Sequence, residues 1–145
     1  MSASIMRRFA AAFVLAAITI APAYASENKE VVSLKGIRAW LVQDDFVPLI
    51  SMRFSFKGGS AQDPSGKDGI ANLMTGLFDE GAGDLDSEKF QQQLDDVGAE
   101  MSFSADDDAI SGTVRMLSDR RDAAVDLLAL AVNKPRLDQA PIDRI

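Results

Sequence analysis

The clearest pattern in the chain lies at Val47–Lys57 (VPLISMRFSFK). Leu49, Ser51, Arg53 and Ser55 alternate there with Ile50, Met52, Phe54 and Phe56. The second set is wholly apolar, so the period-two alternation predicts a strand with one buried face. Two shorter strands are expected before it, Val31–Leu34 and Arg38–Gln43, joined by a Lys35-Gly36 turn. After Gly58-Gly59-Ser60 and an Asp63-Pro64-Ser65-Gly66 turn, the period changes. Across Gly69–Asp79, residues Ile70, Leu73, Met74 and Leu77 fall at i, i+3, i+4 and i+7. That is the apolar stripe of a helix, with Asp68 as its expected N-cap and Gly81 and Gly83 as its stop. Ser87 is expected to cap a second helix, Glu88–Val97, with Phe90, Leu94 and Val97 on its apolar side and Gly98 at its end. Glu100–Ser104 and Ala109–Met116 read as a hairpin around Asp106-Asp107-Asp108. Ser118 is expected to cap a third helix, Asp119–Asn133, ended by Pro135. Its predicted core side is Ala123, Val125, Leu127, Leu128 and Leu130.

The order β-β-β-α-α-β-β-α predicts an α+β fold, a mixed sheet with flanking helices. Ala140–Ile145 has the composition of another helix's opening turn, with Pro141 at the favourable first position. Two readings stand at this end: a domain that is truncated at Ile145, or a frayed natural tail.

Residues 1–25 follow a different logic. Arg7 and Arg8 precede an apolar run from Phe9 to Ile20, Pro22 breaks it, and Ala23-Tyr24-Ala25 has the small-x-small form of a cleavage site. This predicts a signal peptide cut before Ser26, and export, most simply to a bacterial periplasm. The run is too short for a membrane span, so no membrane association is expected after cleavage. Ser26–Glu30 reads as a polar lead-in, and residues 31–145 as the folded part.

Composition narrows the chemistry. The 145 residues include no His and no Cys. Histidine-based triads, histidine zinc sites, thiolate nucleophiles and disulfides are therefore excluded for this chain alone. Loss of the two signal-peptide arginines would leave 120 residues and move the net charge from −7 to −9. Such an acidic surface argues against nucleic-acid partners and anionic membranes.

Three stretches, in order, resemble the insulinase/pitrilysin-type zinc peptidases, the inverzincins. They are FSFKGGSAQDPSGKDGIAN, LFDEGAG with SEKFQQQLDDVGAEMSFSADDD, and AVDLLALAVNKPRLDQAPIDRI. The resemblance covers about residues 31–145 and implies the N-terminal portion of one α+β peptidase domain. The family signature is H-x-x-E-H on a helix, where two His four apart grip zinc and the Glu polarises the bound water. Here Asn72-Leu73-Met74-Thr75-Gly76 stands in that window. Asn72 occupies the place of the first His, Thr75 that of the Glu, and Gly76 that of the second His. An amide is a poor zinc ligand, a threonine hydroxyl is no base near neutral pH, and glycine has no side chain. The family's further glutamate ligand is expected on the helix that begins near Pro141, beyond Ile145. The expectation is therefore no catalytic residue and no metal ligand in this chain.

Some members of this family pair a zinc-bearing subunit with one that has lost the signature. The resemblance implies that role here: a catalytically inactive, exported homologue that helps enclose or bind peptide substrate beside a zinc-bearing partner. Zinc is then expected only in the partner. Two other readings remain open. One is an active zinc-dependent metalloendopeptidase whose metal site lies outside this sequence. The other is a truncated chain without independent function. The remaining charged and apolar groups have simpler roles. Asp106-Asp107-Asp108 lacks the spacing of a calcium loop and suits a solvated turn. Asp79-Glu80 is a candidate contact for a basic peptide or, more simply, a surface pair. Met52, Met74, Met101 and Met116 lie on apolar stripes and suit core filling.

Overall fold

The computed structural model describes residues 28–145. The predicted signal peptide, 1–25, lies outside the described residues. The chain divides into two compact units, one ending at Asp45 and the other spanning Phe46–Ile145.

The first unit contains an antiparallel hairpin of β1 (Asn28–Val32) and β2 (Arg38–Val42). Its turn is closed by Ser33, whose amide donates to the Ile37 carbonyl at 2.8 Å and whose hydroxyl accepts from the Ile37 amide at 3.0 Å. Asn28–Glu30, expected as a polar lead-in, belong to β1, because pairing with Leu41 and Val42 extends the strand backwards. Leu34, expected at the strand's end, lies instead in the turn.

The second unit is built on a three-stranded antiparallel sheet of order β3 (Leu49–Lys57), β5 (Ala109–Leu117), β4 (Ala99–Ala105). Its register aligns three apolar rows across the strands. Ile50 faces Met116 and Ala99; Met52 faces Val114 and Met101; Phe54 and Phe103 face Gly112 from either side. The alternation in β3 thus holds, although Phe56, at the strand's end, is 52% exposed. Gly112 is set by close approach. A Cβ there would lie 2.3 Å from the Phe54 ring. Without it, the Phe54 and Phe103 rings meet edge-on at 6.3 Å, a favoured aromatic geometry.

Helices cover this apolar face. α1 (Ile70–Thr75) packs over β4, α2 (Ser87–Val97) packs on β4, and α3 (Arg121–Asn133) packs on α2 and β5. Phe90, Leu94, Ala124, Leu127, Leu128 and Ala131 bury against Val114 and Met116 to form the core. α2 follows its sequence closely. It ends at Gly98 in the left-handed conformation (φ 61°), which glycine adopts without the strain a side chain brings. Its cap is Asp86 rather than Ser87: the Asp86 carboxylate accepts from the Lys89 amide at 3.0 Å.

Several expectations are corrected here. α1 is short, stopping at Thr75, and its buried side is Ala71 and Thr75, followed by Leu77 and Phe78 in the turns beyond; Ile70 is 41% exposed. Its start is held by Asp63, not Asp68: the Asp63 carboxylate accepts from the amides of Gly69 (2.7 Å) and Ala71 (3.0 Å). In α3 the buried stripe is Ala124, Leu127, Leu128 and Ala131, while Ala123 and Val125 face outward and Ser118 forms no side-chain cap. A final helix, α4 (Gln139–Arg144), carries Pro141 buried at its third position rather than its first. Proline is tolerated there because the first-turn amides have no intrahelical partner.

The two glycine-layer and capping observations set stability expectations. Gly112→Val should destabilise the protein by about 1–3 kcal/mol through overpacking against Phe54. Asp63→Ala should cost about 0.5–2 kcal/mol by freeing two helix-start amides. Urea unfolding of both variants checks these values; an unchanged midpoint for Gly112→Val would refute the aromatic-layer account.

Candidate functional site

The window Asn72–Gly76 occupies α1 and its C-cap. The three signature positions diverge in environment. Asn72 is exposed. Thr75 is buried, at 5% exposure, and its hydroxyl donates to the Asn72 carbonyl at 2.8 Å. This backbone bond satisfies a hydroxyl that would otherwise be buried unpaired. Gly76 closes the helix, its amide donating to the same carbonyl at 3.2 Å. A Cβ at Gly76 would approach Ile145 Cδ1 at 3.2 Å, so the residue that follows the C-terminal helix lies against this position. An exposed amide, an occupied hydroxyl and a bare backbone do not form a zinc donor set. Among the described residues no cluster of three carboxylates has metal-site geometry either.

Immediately beyond α1, a polar clasp ties three segments together. The Glu80 carboxylate accepts from the Ser87 hydroxyl at 2.6 Å and pairs with the Arg144 guanidinium. The Glu80 side chain is only 21% exposed. The Ser87 hydrogen bond, with the Arg144 pair beside it, holds the Glu80 carboxyl below its usual value. Asp79 goes the other way: burial raises its pKa, and the Glu80 charge next to it adds to the rise. Its backbone carbonyl accepts from the Gln91 side-chain amide at 2.8 Å. Asp79-Glu80 is thus built into the packing, not a solvated pair. The signal missed in the sequence is the pairing of Glu80 with Arg144, which lies 64 residues away.

The Asp106-Asp107-Asp108 turn is also internally occupied. Asp106 Oδ1 accepts from the amides of Asp108 (2.9 Å) and Ala109 (2.7 Å). The turn's carbonyls accept from the amides of Gly58, Ser60 and Ala61, which fixes the loop after β3 to the hairpin tip.

The two carboxyl shifts give opposite pH signatures. Glu80, lowered on folding, adds stability above its unfolded pKa that is lost as pH falls through the folded value. Glu80→Gln should therefore be less stable than the parent near neutral pH, with the gap closing in acid as pH falls through the folded value. Asp79, raised on folding, adds stability that is present at low pH and lost as pH rises through its folded value. Asp79→Asn should match or exceed the parent near neutral pH and lose that advantage in acid. Thermal melts across this range read both signs.

The fold agrees with comparisons to known proteins. The profile of the family described as insulinase (peptidase family M16) matches residues 39–145. A solved structure described as the inactive domain of peptidase M16 from Pseudomonas fluorescens is 27% identical, with a TM-score of 0.71. It aligns over 81% of this chain and 29% of its own. A protease from Helicobacter pylori, 19% identical with a TM-score of 0.63, shares the fold over 81% of this chain and 28% of its own. The chain thus spans less than a third of the length of either structure. No curated protein matches. With the profile covering most of its length and the α+β order in place, the chain belongs to the insulinase family of peptidases, family M16.

Proposed function

We propose that this chain is an exported, non-catalytic member of the insulinase family that works beside a zinc-bearing subunit in the periplasm. It helps enclose the substrate chamber and hold peptide, while the partner supplies zinc and the general base. The observation that carries this reading is the state of the α1 window. Thr75 spends its hydroxyl on the Asn72 carbonyl, and Gly76 offers no side chain, so the family's water-activating set has no counterpart here. Two further observations support it. The Pseudomonas fluorescens neighbour is described as an inactive domain. The sequence also carries Arg7-Arg8, an apolar run and Ala23-Tyr24-Ala25, the signature of a signal peptide.

The chemistry assigned to this chain is binding and shaping. Its clasp of Glu80, Ser87 and Arg144 joins the end of α1, the start of α2 and α4 without a metal. That tie would keep the degenerate helix in a family-like position, so that the surface offered to a partner is preserved.

Affinity capture of the protein from the periplasm of its host tests the proposal. The expected result is a near-stoichiometric partner carrying H-x-x-E-H, with peptidase activity in the pair that a chelator abolishes. The chain alone should cleave no peptide and retain no zinc after dialysis. Chelator-sensitive cleavage by the purified chain would overturn the proposal in favour of a metallopeptidase whose site lies outside the α1 window.

A further inference from the structure

The three-stranded sheet has a second face, and it carries the opposite charge to the chain. Every strand residue of the hydrophobic core lies on the helix side. The other face carries Ser, Thr, Arg and Lys, with Glu100 on β4, Ala109 beside Lys57, and the exposed pair Leu49 and Leu117 at one end. Arg53 sits opposite Thr113, and Arg115 sits between Ser51 and Glu100. Arg53 and Arg115 are therefore diagonal neighbours on adjacent strands, about 7–8 Å apart at the backbone. Lys57 continues the same face at the end of β3. Arg53, Lys57 and Arg115 are exposed and take part in none of the ion pairs among the described residues. Glu100 is the single carboxylate among this face's strand residues, with Asp95 at the rim beside Arg115.

That arrangement is unusual for a chain of net charge −7. The acidic residues that outnumber the basic ones are placed elsewhere. Between the cations stand short hydroxyl side chains, which leave the guanidinium forks accessible. An arginine fork takes a carboxylate through two parallel hydrogen bonds, and neighbouring hydroxyls serve a peptide backbone as donors and acceptors. We infer that the open face of the β3-β5-β4 sheet is a docking surface for an acidic, extended polypeptide segment, held by Arg53 and Arg115 with Lys57 at its edge. Charge complementarity selects that occupant. A single-stranded nucleic acid is disfavoured, because no aromatic side chain stands on this face to stack a base. The inference deepens the peptide-holding part of the proposed function by naming the class of polypeptide held.

Fluorescence anisotropy with the purified full chain tests it. The probes are a labelled peptide of alternating Glu and Ser, its Lys/Ser counterpart, and a single-stranded oligonucleotide of matched charge. The Glu/Ser peptide should bind, and the Lys/Ser peptide should not. The double variant R53Q/R115Q should weaken binding about tenfold. K29Q/K35Q makes the same change in net charge on the β1–β2 hairpin and should leave binding unchanged. Binding should also weaken as salt shortens the screening length from about 10 Å at 0.1 M to about 3 Å at 1 M. Absence of Glu/Ser binding, equal weakening by both double variants, or equally tight oligonucleotide binding would each overturn the inference. Circular dichroism of R53Q/R115Q separates lost binding from lost fold, and the Arg53→Lys/Arg115→Lys variant, which keeps both charges, should retain part of the affinity. A captured zinc-bearing partner without acidic-peptide binding would remove this inference and leave the proposed function standing. Acidic-peptide binding without such a partner would do the reverse.

Discussion

The contact on which the second unit depends is the row formed by Phe54, Gly112 and Phe103. Two aromatic rings from edge strands meet over a residue with no side chain on the central strand. Phe78, just past α1, meets the same Phe103 ring at a tilt of 58° and 5.0 Å. The row therefore links the sheet to the segment that carries the degenerate window. Next to it, Val114 and Met116 bury completely against α2 and α3. Close packing of this kind leaves little room for a change of volume, so the position of α1 follows from the sheet rather than from its own six residues.

A six-residue helix has too few hydrogen bonds to hold itself in water. Polar groups join it to its neighbours: Asp63 at the start of α1, and Glu80 with Ser87 and Arg144 beyond its end. The fold stays near that of the family, as the TM-score of 0.71 to the Pseudomonas fluorescens inactive domain illustrates.

Much of this was legible in the sequence wherever a periodic pattern met a strong stop. The alternation in β3, the stripe of Phe90 and Leu94 ended by Gly98, and the Asp106–Asp108 hairpin all follow from local chemistry. The family was legible from three ordered stretches. What stayed hidden depended on distant partners. The apolar residues of Gly69–Asp79 suit one long helix, but Ala71, Thr75, Leu77 and Phe78 are the ones that are buried. Val125 and Leu128 are equally apolar, yet only Leu128 points at the core. Asp63 and Asp68 are equally good caps by type, and only the path of the loop makes Asp63 the one in reach. Glu80 needed Arg144, which no local window contains.

The sheet register has a consequence for how the chain reaches this structure. β4 and β5 are joined by a three-residue turn and pair locally. β3, on the other side of β5, pairs across gaps of 52 residues at Lys57–Ala109 and 68 residues at Leu49–Leu117. Closing so long a loop carries an entropic cost before any contact compensates it, and non-local strand pairing slows folding. The β4–β5 hairpin with α2 is thus the natural early nucleus, and β3 the late arrival. Until it arrives, β5 presents an unpaired edge, open to misassociation with other strands.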